Sequence, residues 1–364
     1  MFHSSFRDLI SLKQNINLSH YTTIKLGGPA KYFIECNTIN DIIETLKYAN
    51  GKNFRLQVLG GGSNIIFSDE GFDGIVIKIN LKGITIQNNR ITVAAGENWD
   101  NFVNYTVENN FTGIESLSGI PGTVGATPIQ NVGAYGREVS NTIQYVKALD
   151  KTILEVIEFN NNDCKFAYRQ SRFKNEDKDK YIITEVTFVL ERDKEPEIKY
   201  EELKKYIDGN TNYNNLKTNT EKLRTIRKAV LNIRKKKSMI TDENDSDSVS
   251  CGSFFLNPIL NQEEYNKFVE RFALILGNPK VSELLPIIHK TPAGYKIPAA
   301  CLIENAGFHK GYEKNNVGIS SKHSLALINK GGTTKALLEL SKEIEKKVYD
   351  KFAVRLHPEP VIIQ

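Results

Sequence analysis

The chain has 364 residues, 40% of them hydrophobic and 25% charged, with a formal net charge of +5. That composition fits a globular protein of two or three domains, and a balance of 48 basic to 43 acidic residues excludes nothing small and anionic but does not call for nucleic acid. No apolar run nears the roughly 20 residues needed to span a bilayer, and the N-terminal MFHSSFRDLISLKQN lacks an apolar leader core, so a cytoplasmic, membrane-free protein is expected.

In chain order, Lys31–Glu35 reads as a strand and Thr38–Asn50 as an amphipathic helix. Ile39, Ile42, Ile43 and Leu46 form its apolar stripe, Thr38 with Asp41 resembles a capping box, and Gly51 suits its C-terminal stop. Arg55–Leu59 follows as a strand, completing a β-α-β unit, and Gly74–Ile79 is another. Ile84–Gln87 and Arg90–Val93 alternate apolar and polar residues across Asn88-Asn89, a two-residue hairpin signal. Thr142–Leu149, Ile153–Phe159 and Tyr181–Leu190 are further strands. Asp208–Thr220 is polar and Asn-rich, and a domain boundary is placed there. A helix from Thr220 sets Leu223, Ile226, Val230 and Ile233 on one side. Thr241–Ser248 is acidic and reads as mobile. Gln262–Leu276 and Thr334–Tyr349 read as helices and Val361–Ile363 as a terminal strand. The expected fold class is α+β.

Two glycine clusters stand out: Gly60-Gly61-Gly62-Ser63-Asn64, and Gly119, Gly122, Gly125, Gly133 and Gly136 within Ile114–Gly136. Clustered glycines cost backbone entropy, so they point to unusual dihedrals or a close backbone approach to a ligand. Successive N–H groups can cradle phosphate, and two such loops suit a dinucleotide. Tight turns are the plain alternative, and for the 60–64 loop alone the two readings are equal. Neither cluster fits G-x-G-x-x-G, so a dinucleotide site here is not of the Rossmann kind.

Ser253 follows Gly252 and precedes Phe254-Phe255. It serves as a nucleophile, a proton donor or a polar loop residue; Phe255 excludes a G-x-S-x-G elbow, and spacing alone favours the loop residue. Arg169 and Arg172 lie among aromatics and offer planar forks for carboxylate or phosphate, or else form surface ion pairs. Glu359 sits between Pro358 and Pro360 near the C-terminus. The run Arg234–Lys237 reads as a solvated helix end rather than a nucleic-acid patch. Cys36, Cys164, Cys251 and Cys301 show no C-x-x-C spacing and read as reduced thiols. The six histidines show no metal spacing, and no metal is expected.

Taken together, TIKLGGPA (Thr23–Ala30), LGGGSN (Leu59–Asn64), SGIPGTVGATPIQNVGAYG (Ser118–Gly136), YRQSRFK (Tyr168–Lys174), GSFFLNP (Gly252–Pro258), AACLIENAG (Ala299–Gly307), GISSKHSLALINKGG (Gly318–Gly332) and LHPEP (Leu356–Pro360) resemble the UDP-N-acetylenolpyruvoylglucosamine reductases, in the family's order over nearly the whole chain. The resemblance implies a two-lobed, non-Rossmann FAD-binding domain of the vanillyl-alcohol oxidase type (1–80 and 81–210), a separate α+β substrate domain (216–352) and a tail (353–364) returning to the active site. It implies non-covalent FAD, NADPH as co-substrate, and reduction of UDP-N-acetylglucosamine-enolpyruvate to UDP-N-acetylmuramate for peptidoglycan. Oligomeric state stays open.

By resemblance Arg169 stabilises the developing enolate, Ser253 protonates C2 and Glu359 helps hold the substrate carboxylate. Gly60, Gly61, Gly62, Ser63, Asn64, Gly119, Gly122, Thr123, Gly125, Ala126, Gln130, Asn131, Gly133 and Ala134 would contact FAD. Tyr200, Lys237, Asn257, Lys296 and Asn305 would contact the UDP-sugar, Tyr200 from the tyrosine loop of the family's longer subgroup. The chain departs from the family in Leu256 for a usual Lys, Phe308 for a usual Trp, and a longer, acidic Ser238–Ser250 in place of a Pro-Asp-Pro turn. Two rivals are a covalent-flavin alcohol oxidase, disfavoured because the glycine loops hold no His or Cys, and a non-catalytic basic module around Thr220–Lys237.

Overall fold

The computed structural model describes residues 12–364; His3 and most of the stretch read for a leader lie outside them. The chain forms two compact units. Unit 1 takes the described residues through Ile16, Pro29–Gly62 and Phe72–Ile240; unit 2 takes Asn17–Gly28, Ser63–Gly71 and Thr241–Gln364.

Among the described residues unit 1 contains two large sheets and two small two-stranded ones. In the first, strands Lys13–Asn17, Pro29–Cys36, Phe72–Ile79 and Arg55–Leu59 lie side by side in that order, the last three parallel. The crossover helix is Ile39–Lys52. Thr38 accepts from the Asp41 N–H and Asp41 reaches back to the Thr38 N–H, so the expected capping box is present. The helix passes through Gly51, and Asn53 in the left-handed region ends it instead. Asn tolerates that region almost as Gly does. The second sheet is antiparallel, ordered Val156–Asn160, Ile143–Asp150, Tyr181–Val189, Arg90–Ala94 and Ile84–Gln87. Its hairpin turns at Asn88, whose φ of 57° suits the two-residue loop.

A helix the sequence reading passed over, Trp99–Glu108, fills the core between these strands and the long glycine segment. Asn98 caps it, and Trp99, Phe102, Val103, Thr106 and Val107 are buried at helical spacing. The Trp99 indole donates to the Leu117 carbonyl at 3.0 Å, satisfying its one polar atom in the core.

The division between units falls after Ile240, not within Asp208–Thr220. Helices Glu201–Asn210 and Asn219–Lys236 pack Leu203 and Ile207 against Ile226, Ala229, Val230 and Ile233, with Tyr135 alongside. Each apolar stripe covers the other, so the polar link between them is a turn within unit 1.

Unit 2 is built around the helix Thr334–Phe352, which buries Leu337, Leu340, Ile344, Val348 and Phe352. A four-stranded antiparallel sheet runs Ser250–Ser253, Ala326–Asn329, Val317–Ile319, Glu313–Lys314. The terminal strand Val361–Ile363 pairs in parallel with Ile65–Phe67.

Thr241–Ser248 is not a mobile segment. Asp247 is buried and its Oδ2 accepts from Ser320 Oγ (2.9 Å), Ser321 N (2.6 Å) and Ser321 Oγ (2.7 Å). A carboxylate holding three donors fixes the segment despite its polar composition.

Candidate functional site

In unit 1 the two glycine loops lie against each other. A Cβ on Gly61 would sit 2.4 Å from the Gly122 Cα, and one on Gly60 would sit 2.9 Å from Thr123 Oγ1. Only hydrogen fits at Gly61, so the two loops pack backbone against backbone with no side chain between them. Gly62, Gly119 and Gly122 have φ of 70°, 72° and 129°. Lys78 donates to the Gly60 carbonyl, and burial holds its ammonium below the usual lysine range. These residues fit a bound dinucleotide, a role that the 60–64 loop alone left equal with tight turns.

Several segment residues have structural engagements of their own. The Gly119 N–H donates to Asp100 at 2.6 Å, and the Gly125 N–H donates to the Ala95 carbonyl at 2.9 Å. Asn131 is buried with φ of 45°; its amide donates to Glu138 and the Ala167 carbonyl and accepts from the Ser140 N–H. It holds the turn rather than presenting a side chain outward. Thr123 precedes the short helical turn Val124–Ala126 without a side-chain capping bond, and Gly133-Ala134 pairs with Arg137-Glu138.

Arg169 stands at the tip of a tight turn closed by Ala167 and Gln170, with φ of 54°. A β-carbon in the left-handed region costs about 1 kcal/mol or more, which local structure must offset. The guanidinium donates to the Gly133 carbonyl at 2.8 Å and lies 5.5 Å from the Tyr168 ring. Arg169 is thereby tied to the glycine segment. Arg172 is different: it pairs with Asp177 at 2.6 Å and covers the Phe159 ring, a structural role.

Tyr200 opens the helix Glu201–Asn210, and its ring meets Tyr135 edge-on at 5.6 Å. Lys237, at the end of Asn219–Lys236, pairs with Glu202 at 2.7 and 3.0 Å. Two sequence candidates 37 positions apart are thus brought to one corner of unit 1. Arg234, read as one of a solvated run, instead turns inward to the Gly119 and Met239 carbonyls at 3.2 and 2.7 Å. Burial lowers its pKa and pushes the neighbouring Tyr135 hydroxyl up to about 12.

Asp100 was also missed. It accepts from Arg227 through both oxygens, at 2.6 and 2.8 Å, and from Gly119. Burial works against its ionisation, but the Arg227 guanidinium and the Gly119 amide outweigh that and hold it below the usual carboxylate range. The helical spacing after Asn98 was the available signal.

In unit 2 the tail that carries Glu359 runs beside the segment that directly follows Ser253, joined to it by an isolated bridge and backbone hydrogen bonds. The strand Ser250–Ser253 carries a bulge at Cys251-Gly252, where Gly252 has φ of 71°. A bulge re-aims the following side chain. Beyond it the Phe254 N–H donates to the Leu325 carbonyl at 2.7 Å, and the Phe254 carbonyl accepts from the Glu359 N–H at 2.8 Å. Phe255 bridges to Pro358, and the Leu256 N–H donates to the His357 carbonyl at 3.0 Å. Phe254 and Phe255 are fully buried and anchor the strand. Asn64 clamps the tail from the other side: its amide donates to the Glu359 carbonyl at 3.3 Å and its own carbonyl accepts from Val361 N.

The remaining candidates follow the same strand. Asn257 accepts from the Ala299 N–H at 2.9 Å, capping the helix Ala299–Asn305. Asn305 closes that helix, its amide donating to the Cys301 carbonyl. Lys296 pairs with Ile259 in a three-stranded sheet.

Comparison with known proteins agrees with this division. Residues 30–152 match the family model described as an FAD binding domain, and residues 244–363 match the C-terminal domain of UDP-N-acetylenolpyruvoylglucosamine reductase. A UDP-N-acetylenolpyruvoylglucosamine reductase from Thermobifida fusca is 41% identical over 97% of this chain and 98% of its own. The chain belongs to the UDP-N-acetylenolpyruvoylglucosamine reductase family. The Mycobacterium tuberculosis reductase is 35% identical over 97% of the chain and 95% of its own length. The crystal structure of the Thermus caldophilus reductase matches with a TM-score of 0.65 at 20% identity, covering 98% of this chain and 99% of that one. The expected α+β fold, an FAD-binding part with a separate C-terminal domain, is borne out. Among the described residues no helix is long and apolar enough to cross a membrane.

Proposed function

We propose that this chain reduces UDP-N-acetylglucosamine-enolpyruvate to UDP-N-acetylmuramate with NADPH, through non-covalently bound FAD. The observation that carries the reading is the pairing of the Ser253 strand with the Glu359 tail through the Phe254–Glu359 hydrogen bond. It joins the backbone of Glu359 to that of the residue after Ser253, although the two candidates are far apart in sequence.

The Gly60–Asn64 loop and the Gly119–Ala134 segment would hold FAD, their close approach at Gly61 and Gly122 leaving backbone rather than side chains against the ligand. When bound, FAD supplies hydride transfer from NADPH to C3 of the enolpyruvyl group. The chain's own residues handle the charge and proton that follow. As C3 gains hydride, negative charge develops on C2 and its carboxylate, and a fixed cation at that point lowers the barrier. Arg169 is that cation; its turn and its bond to Gly133 limit the reorganisation it needs. Glu359 orients the same carboxyl group. Ser253 then delivers its proton to C2. A serine hydroxyl is a weak acid, but an enolate carbon is a strong enough base to take its proton. Tyr200, Lys237, Asn257, Lys296 and Asn305 would bind the UDP-sugar.

Separated half-reactions test this. Ser253→Ala should leave anaerobic bleaching of the flavin by NADPH near the wild-type rate and slow its reoxidation by UDP-N-acetylglucosamine-enolpyruvate by about 10²–10⁴-fold, the usual contribution of a positioned general acid. Reoxidation at the wild-type rate would remove Ser253 from the chemistry. FAD released intact on acid precipitation is the result expected of a non-covalent cofactor, and retention on the protein would favour the alcohol oxidase reading.

A further inference from the structure

We propose that Asp247, in the acidic segment Thr241–Ser248, is a positioning residue for Ser253 and Glu359. The inference rests on the reductase reading above and assigns a task to a segment that reading leaves idle.

Asp247 lies in a helical turn, Ser246–Ser248, capped by Asp245: the Asp247 N–H donates to Asp245 Oδ1 at 3.1 Å. The Asp247 carboxylate, with its three donors from Ser320 and Ser321, seizes the start of the turn 320–325. Asp245 pairs with Lys322 of the same turn at 2.9 Å. Within the turn, Ser320 Oγ accepts from the Lys322 and His323 N–H groups, and His323 Nδ1 accepts from the Leu325 N–H at 3.1 Å. Ser324 donates to Glu304. Every residue from Ser320 to Leu325 is therefore tied to a neighbour.

The far end of that turn is the Leu325 carbonyl, which takes the Phe254 N–H directly after Ser253. Phe254 in turn passes its carbonyl to Glu359. Three backbone segments meet at this point, and Asp247 fixes the turn that ends in Leu325. The strand that carries Ser253 is otherwise weakly specified, because the bulge at Cys251-Gly252 breaks its ladder to Ala326–Asn329. A bulged strand has two ways to place the next side chain, and the bond to Leu325 selects one. Asp247 is the only carboxylate among the described residues that both is buried in this segment and grips the turn. Displacing a catalytic group by about 1 Å costs up to about 10²-fold in rate.

The experiment compares Asp247→Ala, Asp247→Asn, Ser321→Ala and Ser253→Ala as FAD-loaded full chains, following both half-reactions. Asp247→Ala should slow reoxidation by the UDP-sugar about 10–100-fold, with bleaching by NADPH and FAD content unchanged and KM for the UDP-sugar within about twofold. Proton delivery then limits that half-reaction, so its solvent deuterium isotope effect should rise above wild type. Asp247→Asn keeps an acceptor oxygen and should recover part of the rate. If Asp247→Ala does not fold, Ser321→Ala removes one donor and keeps the N–H; about a tenfold slowing of reoxidation alone is expected, the lower end of the worth of one hydrogen bond to a charged group. Wild-type reoxidation or an unchanged isotope effect in these variants, with Ser253→Ala slow, overturns the inference. So does equal slowing of both half-reactions or loss of FAD, which marks a structural role only. If Ser253→Ala is itself as fast as wild type, the reductase assignment of Ser253 fails first.

Discussion

The two units hold their candidate groups by opposite means. Unit 1 presents backbone: its glycine loops meet where a single methyl group would collide, Gly61 against Gly122. Unit 2 carries side-chain candidates, Ser253 and Glu359, set by the register of the backbone hydrogen bonds at Phe254. A site made of missing side chains is sensitive to volume, whereas a site made by register is sensitive to charge and to distant hydrogen bonds.

The sharpest test of that contrast removes charge without volume in unit 2. Glu359→Gln should slow the substrate half-reaction by about 10²-fold, the scale of losing one electrostatic contact to a transition state. Flavin reduction by NADPH should be untouched. Rapid-mixing spectroscopy of the two half-reactions reads both, and unchanged turnover would reduce the tail to scaffold. The reciprocal change adds volume without charge in unit 1. Gly61 does not have positive φ, so Gly61→Ala tests space alone. Overpacking of this kind costs about 1–3 kcal/mol, a melting-point fall of several degrees at about 2–4 °C per kcal/mol for a unit of this size. The protein should also emerge pale from gel filtration. Full FAD retention with an unchanged melting point would show that the loops can part freely.

A smaller effect concerns the helix that supports those loops. Asp100 is held below the usual carboxylate range in the folded state, while in the unfolded chain it titrates near 3.9. Its contribution is therefore present above about pH 4 and disappears as pH falls through the lower folded value. Asp100→Asn should melt earlier than wild type at pH 5–7, by the equivalent of about 1 kcal/mol given partial solvent screening. The gap should close toward pH 3. Melting curves across that range check the sign, and a gap that widens in acid would contradict it.

Local rules made much of unit 1 legible. The capping box at Thr38, the hairpin at Asn88 and the strand Arg55–Leu59 are each determined within a few residues. The glycine clusters were visible because a steric demand leaves a compositional mark. Asp247 left none. Thr241–Ser248 looks like any solvated acidic loop, and its partners Ser320 and Ser321 lie more than 70 positions away. The same holds for Asp208–Thr220, whose flanking helices bury each other's stripes, so that a polar stretch was read as a boundary when it is a turn. Arg234 shows the limit in reverse, since a basic run gives no hint that one member turns inward to the Gly119 carbonyl. The order of the motifs conveyed the family; the side-chain partners that steady Ser253 depend on contacts that sequence spacing does not encode.

Unit 2 is entered by the chain three times, at Asn17, Ser63 and Thr241. The family's C-terminal model begins near the last of these, yet the stretch from Thr241 onward is not a transplantable cassette. Its closing strand leans on Ile65–Phe67, the Thr334 hydroxyl donates to the Phe67 carbonyl, and Asp69 caps the first turn of the long helix. Gene shuffling at Thr241 would strand all three partners in the other fragment. In so braided an architecture an exchange at Thr241 breaks strand pairing and helix capping together, whereas substitution in place leaves both intact.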